Sequence, residues 1–326
     1  THAIECSPKH RNVGVVEDGL LLGSPGSDDV RAAAEELGLE IAVQEPQLGT
    51  AHAALMAKDA LAGFDGLVMV CFGDCPMVKA ETVQNLGDAL NGTTKVAVLG
   101  FRPHDTLAYG RIITSDDGTV SKMVEHKDAS DEERACNLCN SGVIVAHSRD
   151  IWRLLEGVGN DNAQGEYYLP DVATNAIAQG DRVVAVEASP DEVAGINSRK
   201  ELADAERTWQ EYRRDEAMAA GVSMKAPETV FFSWDTELGR DVTIEPNVVF
   251  GPGVKVADHA LIRSFSHLEG ATLGEATSVG PYARLRPGAV LEEGAFIGNF
   301  VEMKKAVLGE GGADMVSMAR PFLADP

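Results

Sequence analysis

An aspartate that follows a strongly apolar stretch is the residue best placed for chemistry in this sequence. Leu67 to Phe72 form an uninterrupted apolar run, which predicts a strand covered on both faces, and Asp74 follows shortly before Pro76. Ligands of open α/β sheets bind in the crevice outside the carboxyl ends of the strands. Because Mg²⁺ takes one or two carboxylates together with substrate phosphate oxygens, Asp74 is placed to hold a metal–phosphate complex. The alternative is an aspartate that only caps a turn.

The stretches around Asp74 alternate between helix and strand patterns, which predicts an α/β fold with a mostly parallel sheet. The expected elements are a helix at 28–38, a strand at 39–43, a helix at 51–63, a strand at 67–72, a helix at 79–90 and a strand at 95–101. Asp117-Gly118 lies between two alternating runs and predicts a hairpin. Beyond it we expect strands at 141–146 and 182–188, and helices near 149–156 and 168–179.

The last third of the chain follows a six-residue period, which indicates a parallel β-helix. Eleven apolar anchors recur with a single five-residue step: Ile244, Phe250, Val256, Ile262, Leu268, Leu273, Val279, Leu285, Leu291, Ile297 and Met303. Three hexapeptides make one coil, so residues 242–310 predict about four coils. The charged stretch 198–220 predicts a long solvated helix, either linking two domains or lying on the surface of the first. We therefore expect domains at 1–222 and 223–310 and an unrelated tail at 311–326.

The net charge, the length of the apolar stretches and the cysteine content limit the kinds of partner and compartment that we expect for this protein. The formal net charge of −23 over 326 residues opposes binding to nucleic acid or to an anionic membrane. No apolar stretch approaches the ~20 residues that a membrane helix requires. Five cysteines, an odd number, favour a reducing compartment, so we expect a cytoplasmic protein. Cys136 and Cys139 form a lone C-x-x-C without a second ligand pair, and we interpret them as reduced thiols. Whether Cys71 and Cys75 alter the Asp74 site or only fill space stays open.

Several segments together resemble one enzyme family, the bacterial bifunctional N-acetylglucosamine-1-phosphate uridyltransferase / glucosamine-1-phosphate acetyltransferase. The segments are QEPQLGTAHA (44–53), FGDCP (72–76), YGRI (109–112), VEHKDA (124–129), NSGV (140–143), NAQGEYYLPD (162–171), GINSR (195–199) and PYARLRPGA…GNFVEMKKA (281–306). The resemblance implies a Rossmann-like nucleotidyltransferase domain followed by a partial left-handed parallel β-helix that trimerises. It also implies synthesis of UDP-N-acetylglucosamine and pyrophosphate from UTP and N-acetylglucosamine 1-phosphate.

The resemblance assigns roles residue by residue. Asp74 and Asn197 would hold Mg²⁺, a role that suits one carboxylate and one carboxamide. The other implied ligand contacts are Gln44, Gly49 and Thr50 with uracil and ribose, Phe72 and Gly73 with the nucleotide, and Gly110, Glu125 and Asn140 with the sugar. In the second domain Arg286 and Lys304 would bind the phosphate of glucosamine 1-phosphate. The alternatives are turn chemistry for Gly110, a surface charge for Glu125 and an Asx turn for Asn140.

The sequence departs from this family in three places. Residues 1–27 lack the family's G-x-G-T-R loop and its following lysine, with Lys9 and Arg11 as the early cations. No histidine follows Lys304, although the family's acetyltransferase uses a histidine base beside its acetyl-CoA site. The tail 311–326 instead resembles a piece of a flavin-dependent dienoyl-CoA reductase or of an old-yellow-enzyme relative. We therefore expect a chain that is chimeric or truncated at both ends. We also expect a last coil with exposed strand edges and a weakened homotrimer.

Three functional hypotheses follow. The first is Mg²⁺-dependent uridylyl transfer that is weak or absent, because removing even one preorganised donor costs ~10²–10³ in rate. The second is a nucleotidyltransferase for another sugar phosphate or nucleotide. The third is a non-catalytic remnant that binds a sugar nucleotide or only oligomerises.

Overall fold

The computed structural model describes residues 20–23, 31–32, 34–35, 38–106, 109–162 and 164–310. The chain divides into two compact units between Ala205 and Glu206. Strands of the first unit are β1 (Leu20–Gly23), β2 (Glu40–Val43), β3 (Leu67–Val70), β4 (Thr94–Phe101), β5 (Arg111–Thr114), β6 (Val120–Val124), β7 (Cys139–His147) and β8 (Arg182–Ala188). Its helices are α1 (Thr50–Leu55), α2 (Ala80–Asp88), α3 (Asp131–Arg134), α4 (Ser148–Glu156) and α5 (Asp171–Ala178), with a 3₁₀ turn at Pro190–Val193. Helix α6 (Arg199–Ala219) runs across the division.

The alternation of strands and helices is confirmed, but the expectation of a mostly parallel sheet is wrong. The main sheet has the order β6-β5-β7-β4-β8, and β3 also pairs with β7. Among the described strands of this sheet only β4 and β8 pair in parallel. The reason is β7, which is reached through the β5–β6 hairpin and a short helix rather than through a crossover helix. It therefore returns antiparallel between β3 and β4.

The central strand β4 explains why this sheet is covered on both faces. Its side chains alternate between two apolar clusters, as the two-residue period of a strand requires. Val96 and Val98 pack in the cluster that includes residues of α4 and α5, whereas Ala97 and Leu99 pack in the cluster that includes Leu86 of α2. Strand β4 therefore lies between two apolar layers. The run Leu67–Phe72 forms the shorter strand β3, in which Leu67 is exposed, so the expectation that this run is covered on both faces is wrong.

Helix α6 is only partly the solvated helix that its charge pattern predicts. Its carboxyl-terminal half packs on the first coil of the second unit. The Gln210 carboxamide bonds both main-chain groups of Phe232 at 2.7 and 2.9 Å, and Arg214 Nη1 donates to the Val230 carbonyl at 3.2 Å. The predicted domain boundary at 222/223 lies beyond the end of this helix, whereas the two compact units separate within it.

The second unit is the predicted left-handed β-helix, built from two- and three-residue strands. These are β9 (Ser223–Met224), β10 (Glu237–Leu238), β11 (Thr243–Ile244), β12 (Val249–Phe250), β13 (Lys255–Val256), β14 (Leu261–Ile262), β15 (His267–Leu268), β16 (Ala271–Leu273), β17 (Ser278–Val279), β18 (Arg284–Leu285), β19 (Ala289–Leu291), β20 (Phe296–Ile297), β21 (Glu302–Met303) and β22 (Val307–Leu308). They form three parallel sheets of five, five and four strands. The prediction of about four coils is too low, because the first rung begins at Ser223.

The hexapeptide anchors point inward and stack from coil to coil. Ile244 pairs in register with Ile262, Ile262 with Val279 and Val279 with Ile297, and these side chains are buried. At one corner Phe265, Tyr282 and Phe300 adopt positive φ near 60° and stack as exposed rings, 5.0 and 5.2 Å between centroids.

None of the described helices is both long and apolar enough to cross a lipid bilayer. The prediction that the glycine-rich loop is missing concerns residues 1–27, of which only 20–23 are described, and the prediction of an unrelated tail concerns 311–326. Apart from 20–23, both segments lie outside the described residues.

Candidate functional site

Two distant segments of the first unit are joined beside Asp74. The Asp74 carbonyl accepts a hydrogen bond from the Ile196 N–H at 2.9 Å. The thiol of Cys75 lies 3.6 Å from the Val193 carbonyl and 3.8 Å from Asp74 Oδ1. Burial, reinforced by the Asp74 carboxylate, raises the pKa of Cys75 to about 12, so this thiol stays protonated and fills space. These contacts bring the loop after β3 against the segment that leads to Asn197.

A buried carboxylate strengthens the same junction. Glu192, only 6% exposed, accepts hydrogen bonds from the Thr82 hydroxyl, from the Lys79 N–H at 3.3 Å and from the Ser189 hydroxyl at 3.1 Å. Burial opposes its ionisation, but these hydrogen bonds and the Lys79 ammonium outweigh burial and lower the pKa of Glu192. The carboxylate therefore ties the start of α2 to the 3₁₀ turn before Asn197.

Asp74 and Asn197 reach the same point in space. A methyl group placed on Gly195 would lie 3.4 Å from Asp74 Oδ2 and 3.6 Å from Asn197 Nδ2. The Asn197 main-chain N–H donates a hydrogen bond to Glu201 Oε2 at 2.8 Å, and Asn197 itself is exposed to solvent. The sequence predicted this pairing, and the structure brings the two residues together.

The donors at this point fit a hard divalent cation such as Mg²⁺. An Asp74 carboxylate oxygen, and the Asn197 carboxamide oxygen once that group turns Oδ1 rather than Nδ2 toward this point, would supply part of an octahedron. Water and phosphate oxygens would complete it. Within the described part of the chain no group of three or more His, Cys, Asp or Glu side chains forms a metal-binding cluster. The arrangement is therefore suited to an ion that arrives with a phosphate-bearing substrate rather than to a closed protein cage.

The predicted nucleotide residues Gln44, Gly49 and Thr50 surround the start of α1. Gly49 has φ +116°, and a methyl group there would lie 2.5 Å from the Tyr167 carbonyl oxygen. The Thr50 hydroxyl accepts a hydrogen bond from the Leu169 N–H at 2.9 Å. Gly49 is therefore required by a close main-chain approach, and Thr50 serves in part as a structural acceptor.

Phe72 and Gly73 lie in the loop between β3 and Asp74. The Phe72 ring covers Gly142, where φ is +85° and a methyl group would lie 2.0 Å from Phe72 Cε2. A methyl group on Gly73 would meet open space, so that surface is accessible. Gly142 is a supporting residue that sequence reasoning quoted only as part of a motif.

A small cleft gathers the three predicted sugar residues. Its lining includes Gly110, Glu125, Asn140 and Asp171. The Asn140 N–H donates to the Gly110 carbonyl at 2.9 Å, and Asn140 Oδ1 accepts from the Gly142 N–H at 3.0 Å. Asn140 therefore forms the Asx turn that was the alternative to a ligand-binding role. It leaves the amide nitrogen of that side chain as its donor toward a ligand.

The cleft is acidic. Burial, followed by repulsion from Asp171 and Asp128, raises the pKa of the half-buried Glu125. Burial and the same Asp128 raise the pKa of Asp171. The alternative of Glu125 as a free surface charge does not hold, because a methyl group on Gly110 would lie 3.3 Å from Glu125 Oε1. Sequence reasoning missed Asp171, although it ends the quoted segment NAQGEYYLPD.

Arg111, which also lines this cleft, is a second residue that sequence reasoning missed. Its side chain is 1% exposed, and its guanidinium donates to the main-chain carbonyls of Thr106, Tyr109 and Arg134. The signal was its place in YGRI, directly after Gly110. Arg111 thus fixes the segment before that glycine and links it to Arg134 at the end of α3.

Arg286 and Lys304 lie in the second unit, on successive coils. Strands β18 and β21, which precede them, pair in register, and the Arg286 N–H donates to the Met303 carbonyl at 2.9 Å. Arg286 Nη1 forms an ion pair with Glu302 Oε1 at 2.9 Å. The two cations therefore occupy equivalent corner positions, and a carboxylate neutralises one of them.

Comparison with known proteins covers both units. Residues 27–209 match the family model described as Nucleotidyl transferase, and residues 235–270 match Bacterial transferase hexapeptide (six repeats). The chain is similar to the Bifunctional protein GlmU of Sphingopyxis alaskensis, at 61% identity over 249 residues covering 76% of this chain and 55% of the relative. It is 50% identical over 271 residues to the protein of that name from Zymomonas mobilis, covering 82% and 60%. With the relative from Azorhizobium caulinodans the identity is 48% over 287 residues, covering 87% and 63%.

The chain spans about half to three fifths of the length of these curated relatives. The first family model alone covers more than half of the chain. The residues it matches include Asp74, Asn197 and the acidic cleft. The protein belongs to the nucleotidyl transferase family, and its second unit carries bacterial transferase hexapeptide repeats.

Proposed function

We propose that the first unit catalyses Mg²⁺-dependent uridylyl transfer from UTP to N-acetylglucosamine 1-phosphate, which yields UDP-N-acetylglucosamine and pyrophosphate. A phosphate oxygen of the sugar phosphate forms the new bond to the α-phosphorus of UTP, and the bond to the β,γ-pyrophosphate breaks. The observation that carries this proposal is the convergence of Asp74 and Asn197 beside Gly195. Such reactions depend on positioning and on neutralising charge at the phosphate oxygens.

The chain's own residues supply the positioning. Asp74 and Asn197 would hold the Mg²⁺ ion, which supplies positive charge beside the phosphates when it is bound. On the nucleotide side Gln44, with Gly49 and Thr50 behind it, accepts the base, and Phe72 and Gly73 line the same site. On the sugar side Glu125 accepts hydrogen bonds from hydroxyl groups, while Asn140 and Gly110 fix the edge of the cleft.

We propose that transfer by these 326 residues alone is slow. The G-x-G-T-R segment that the resembled family places against the triphosphate does not occur in residues 1–27. Loss of one preorganised donor costs ~10²–10³ in rate, and such a loop supplies several. This observation also favours the second candidate function, a protein that binds a sugar nucleotide without turning it over.

For the second unit we propose that it belongs to an acetyltransferase part. Arg286 and Lys304, on adjacent coils, would bind the phosphate of glucosamine 1-phosphate, whose acetylation takes acetyl-CoA as donor. Hexapeptide β-helices assemble side by side, so we propose a homotrimer, which sedimentation velocity tests directly. We propose a reducing, cytoplasmic location, which the odd number of five cysteines supports.

Pyrophosphate release tests the proposed reaction. With Mg²⁺, UTP and N-acetylglucosamine 1-phosphate, Asp74→Ala and Asn197→Ala should each lower the rate by ~10²-fold or more. Asp116→Asn, an exposed change in the β5–β6 turn, should leave it unchanged. Full activity in Asp74→Ala would overturn the proposal. Binding of UTP by calorimetry, with no pyrophosphate released, would instead establish the non-catalytic candidate.

A further inference from the structure

Three aromatic rings form a continuous exposed ridge on the second unit. Phe265, Tyr282 and Phe300 occupy equivalent corner positions on successive coils, each with φ near 60°. About half of each of the first two side chains is exposed, 51% of Phe265 and 48% of Tyr282. Apolar patches that are continuous rather than scattered mark interaction surfaces. This set of three rings, the aromatic ridge, is therefore a candidate contact surface.

The way in which the rings stack limits what can bind them. The Tyr282 ring lies between the other two, with centroid distances of 5.0 and 5.2 Å and interplanar angles of 3° and 19°. Its two faces are therefore covered by its neighbours, and the ridge presents ring edges to solvent. A nucleic-acid base stacks on an open ring face, which Tyr282 does not offer. Ring edges instead suit edge-to-face packing against the side chains of another protein.

The sheet beside the ridge, formed by β9, β11, β14, β17 and β20, has an uncharged outer face. On these five described strands the side chains that alternate with the inward anchors are Ser223, Thr243, Leu261, Ser278 and Phe296. The other two sheets carry ionised side chains at such positions, Lys255 in one and Arg284 in the other. Glu245, which follows β11 at the corner, is paired with Lys225 at 3.2 Å. The ridge and this face together form one surface of low charge.

We propose that the aromatic ridge and the uncharged face beside it are the surface through which a second copy of this chain binds, coil against coil. The inference rests on the proposed homotrimer and names the surface that forms it. The ridge advances by one ring per coil, so a partner meets every ring in the same way only if it has the same repeat, as another copy does. Two chains of formal net charge −23 repel each other, so their contact is favoured where neither presents unpaired carboxylates.

Sedimentation velocity of the full chain over a series of concentrations tests this assignment. Phe296→Glu places a carboxylate on the uncharged face, where Phe296 is exposed. It should raise the concentration of half-association by about a hundredfold, because contact would bring like charges together. Val307→Glu adds the same charge at an exposed position on β22, in another sheet, and is the matched control. It should stay within about twofold of wild type.

Hydrogen exchange of the wild-type chain gives a second readout that does not depend on a variant being folded. Dilution from the associated state to monomer should raise exchange in peptides covering 261–266 and 278–283, but not in one covering 289–294. Wild-type association in Phe296→Glu, an equal loss in Val307→Glu, or an equal rise of exchange in all three peptides would overturn this surface and leave the homotrimer standing. A wild-type chain that stays monomeric at every concentration would overturn both.

Discussion

Replacing Glu192 should loosen the junction that brings Asp74 and Asn197 together. The carboxylate is buried and bridges α2 to the 3₁₀ turn, with Oε2 accepting from Thr82 and from the Lys79 N–H. Hydrogen bonds to a charged group contribute about 1.5–3 kcal/mol each, and a buried donor without an acceptor costs about 1–3 kcal/mol. Glu192→Ala should therefore lower the free energy of unfolding by about 3–5 kcal/mol.

Glu192→Gln should cost less, about 1–2 kcal/mol, because its carbonyl can take the Oε2 position. Its NH₂ group would then face Ser189, whose hydroxyl can accept as well as donate. Since folding lowers the pKa of Glu192, the stabilisation is present above the unfolded value near 4.3. It is lost as pH falls through the folded pKa. The difference between wild type and Glu192→Gln should therefore shrink in acid.

Urea unfolding by circular dichroism gives the free energy, and hydrogen exchange of peptides covering 74–82 and 189–197 locates the change. Glu187→Gln is the matched control, because Glu187 lies on β8 and pairs with Arg102 at 2.8 Å with its side chain 49% exposed. Such surface pairs contribute only about 0–1 kcal/mol. If Glu192→Gln and Glu187→Gln proved equally mild, and exchange around Asp74 were unaltered in both, the argument for the buried bridge would be refuted.

Three further changes test other parts of the structure. Gly142→Ala places a methyl group against Phe72 at positive φ, so it should cost about 1–3 kcal/mol of stability and weaken UTP binding in calorimetry. Asp171→Asn removes a repulsion, so it should lower the pKa of Glu125, followed by carboxyl NMR. Folding raises the pKa of Glu125, so ionised Glu125 destabilises the folded protein once the pH exceeds the pKa of the unfolded state. Asp171→Asn should therefore increase the free energy of unfolding near neutral pH. Tyr282→Ala breaks two ring stacks and should lower the stability of the β-helix by about 1–3 kcal/mol in thermal unfolding.

Each of these changes has a control. Gly159→Ala adds a methyl group in open space and should be neutral, so an equal loss there would refute the Phe72 argument. Asp161→Asn, an exposed carboxylate, should leave the Glu125 titration in place. Tyr282→Phe keeps both stacks and should unfold like wild type. A large effect of that change would assign the stability to the hydroxyl.

The sequence by itself determined the two architectures. Periods of two and six residues record which side chains are buried, and turn residues such as Asp117-Gly118 record local backbone angles, so both can be found along the chain. The segments resembling the transferase family also predicted the Asp74–Asn197 pair, and the structure places both side chains beside Gly195.

Only the tertiary structure decided how those parts meet. The Asp74 carbonyl accepts a hydrogen bond from the Ile196 N–H, and the Thr50 hydroxyl accepts one from the Leu169 N–H. Strand β7 lies between β3 and β4 and is antiparallel to both. The Gln44 carboxamide likewise contacts His52, eight residues away, at 2.9 Å. Every residue except proline carries the same main-chain donor and acceptor, so pairings of this kind leave no mark in side-chain pattern. They become visible only when distant segments are placed side by side.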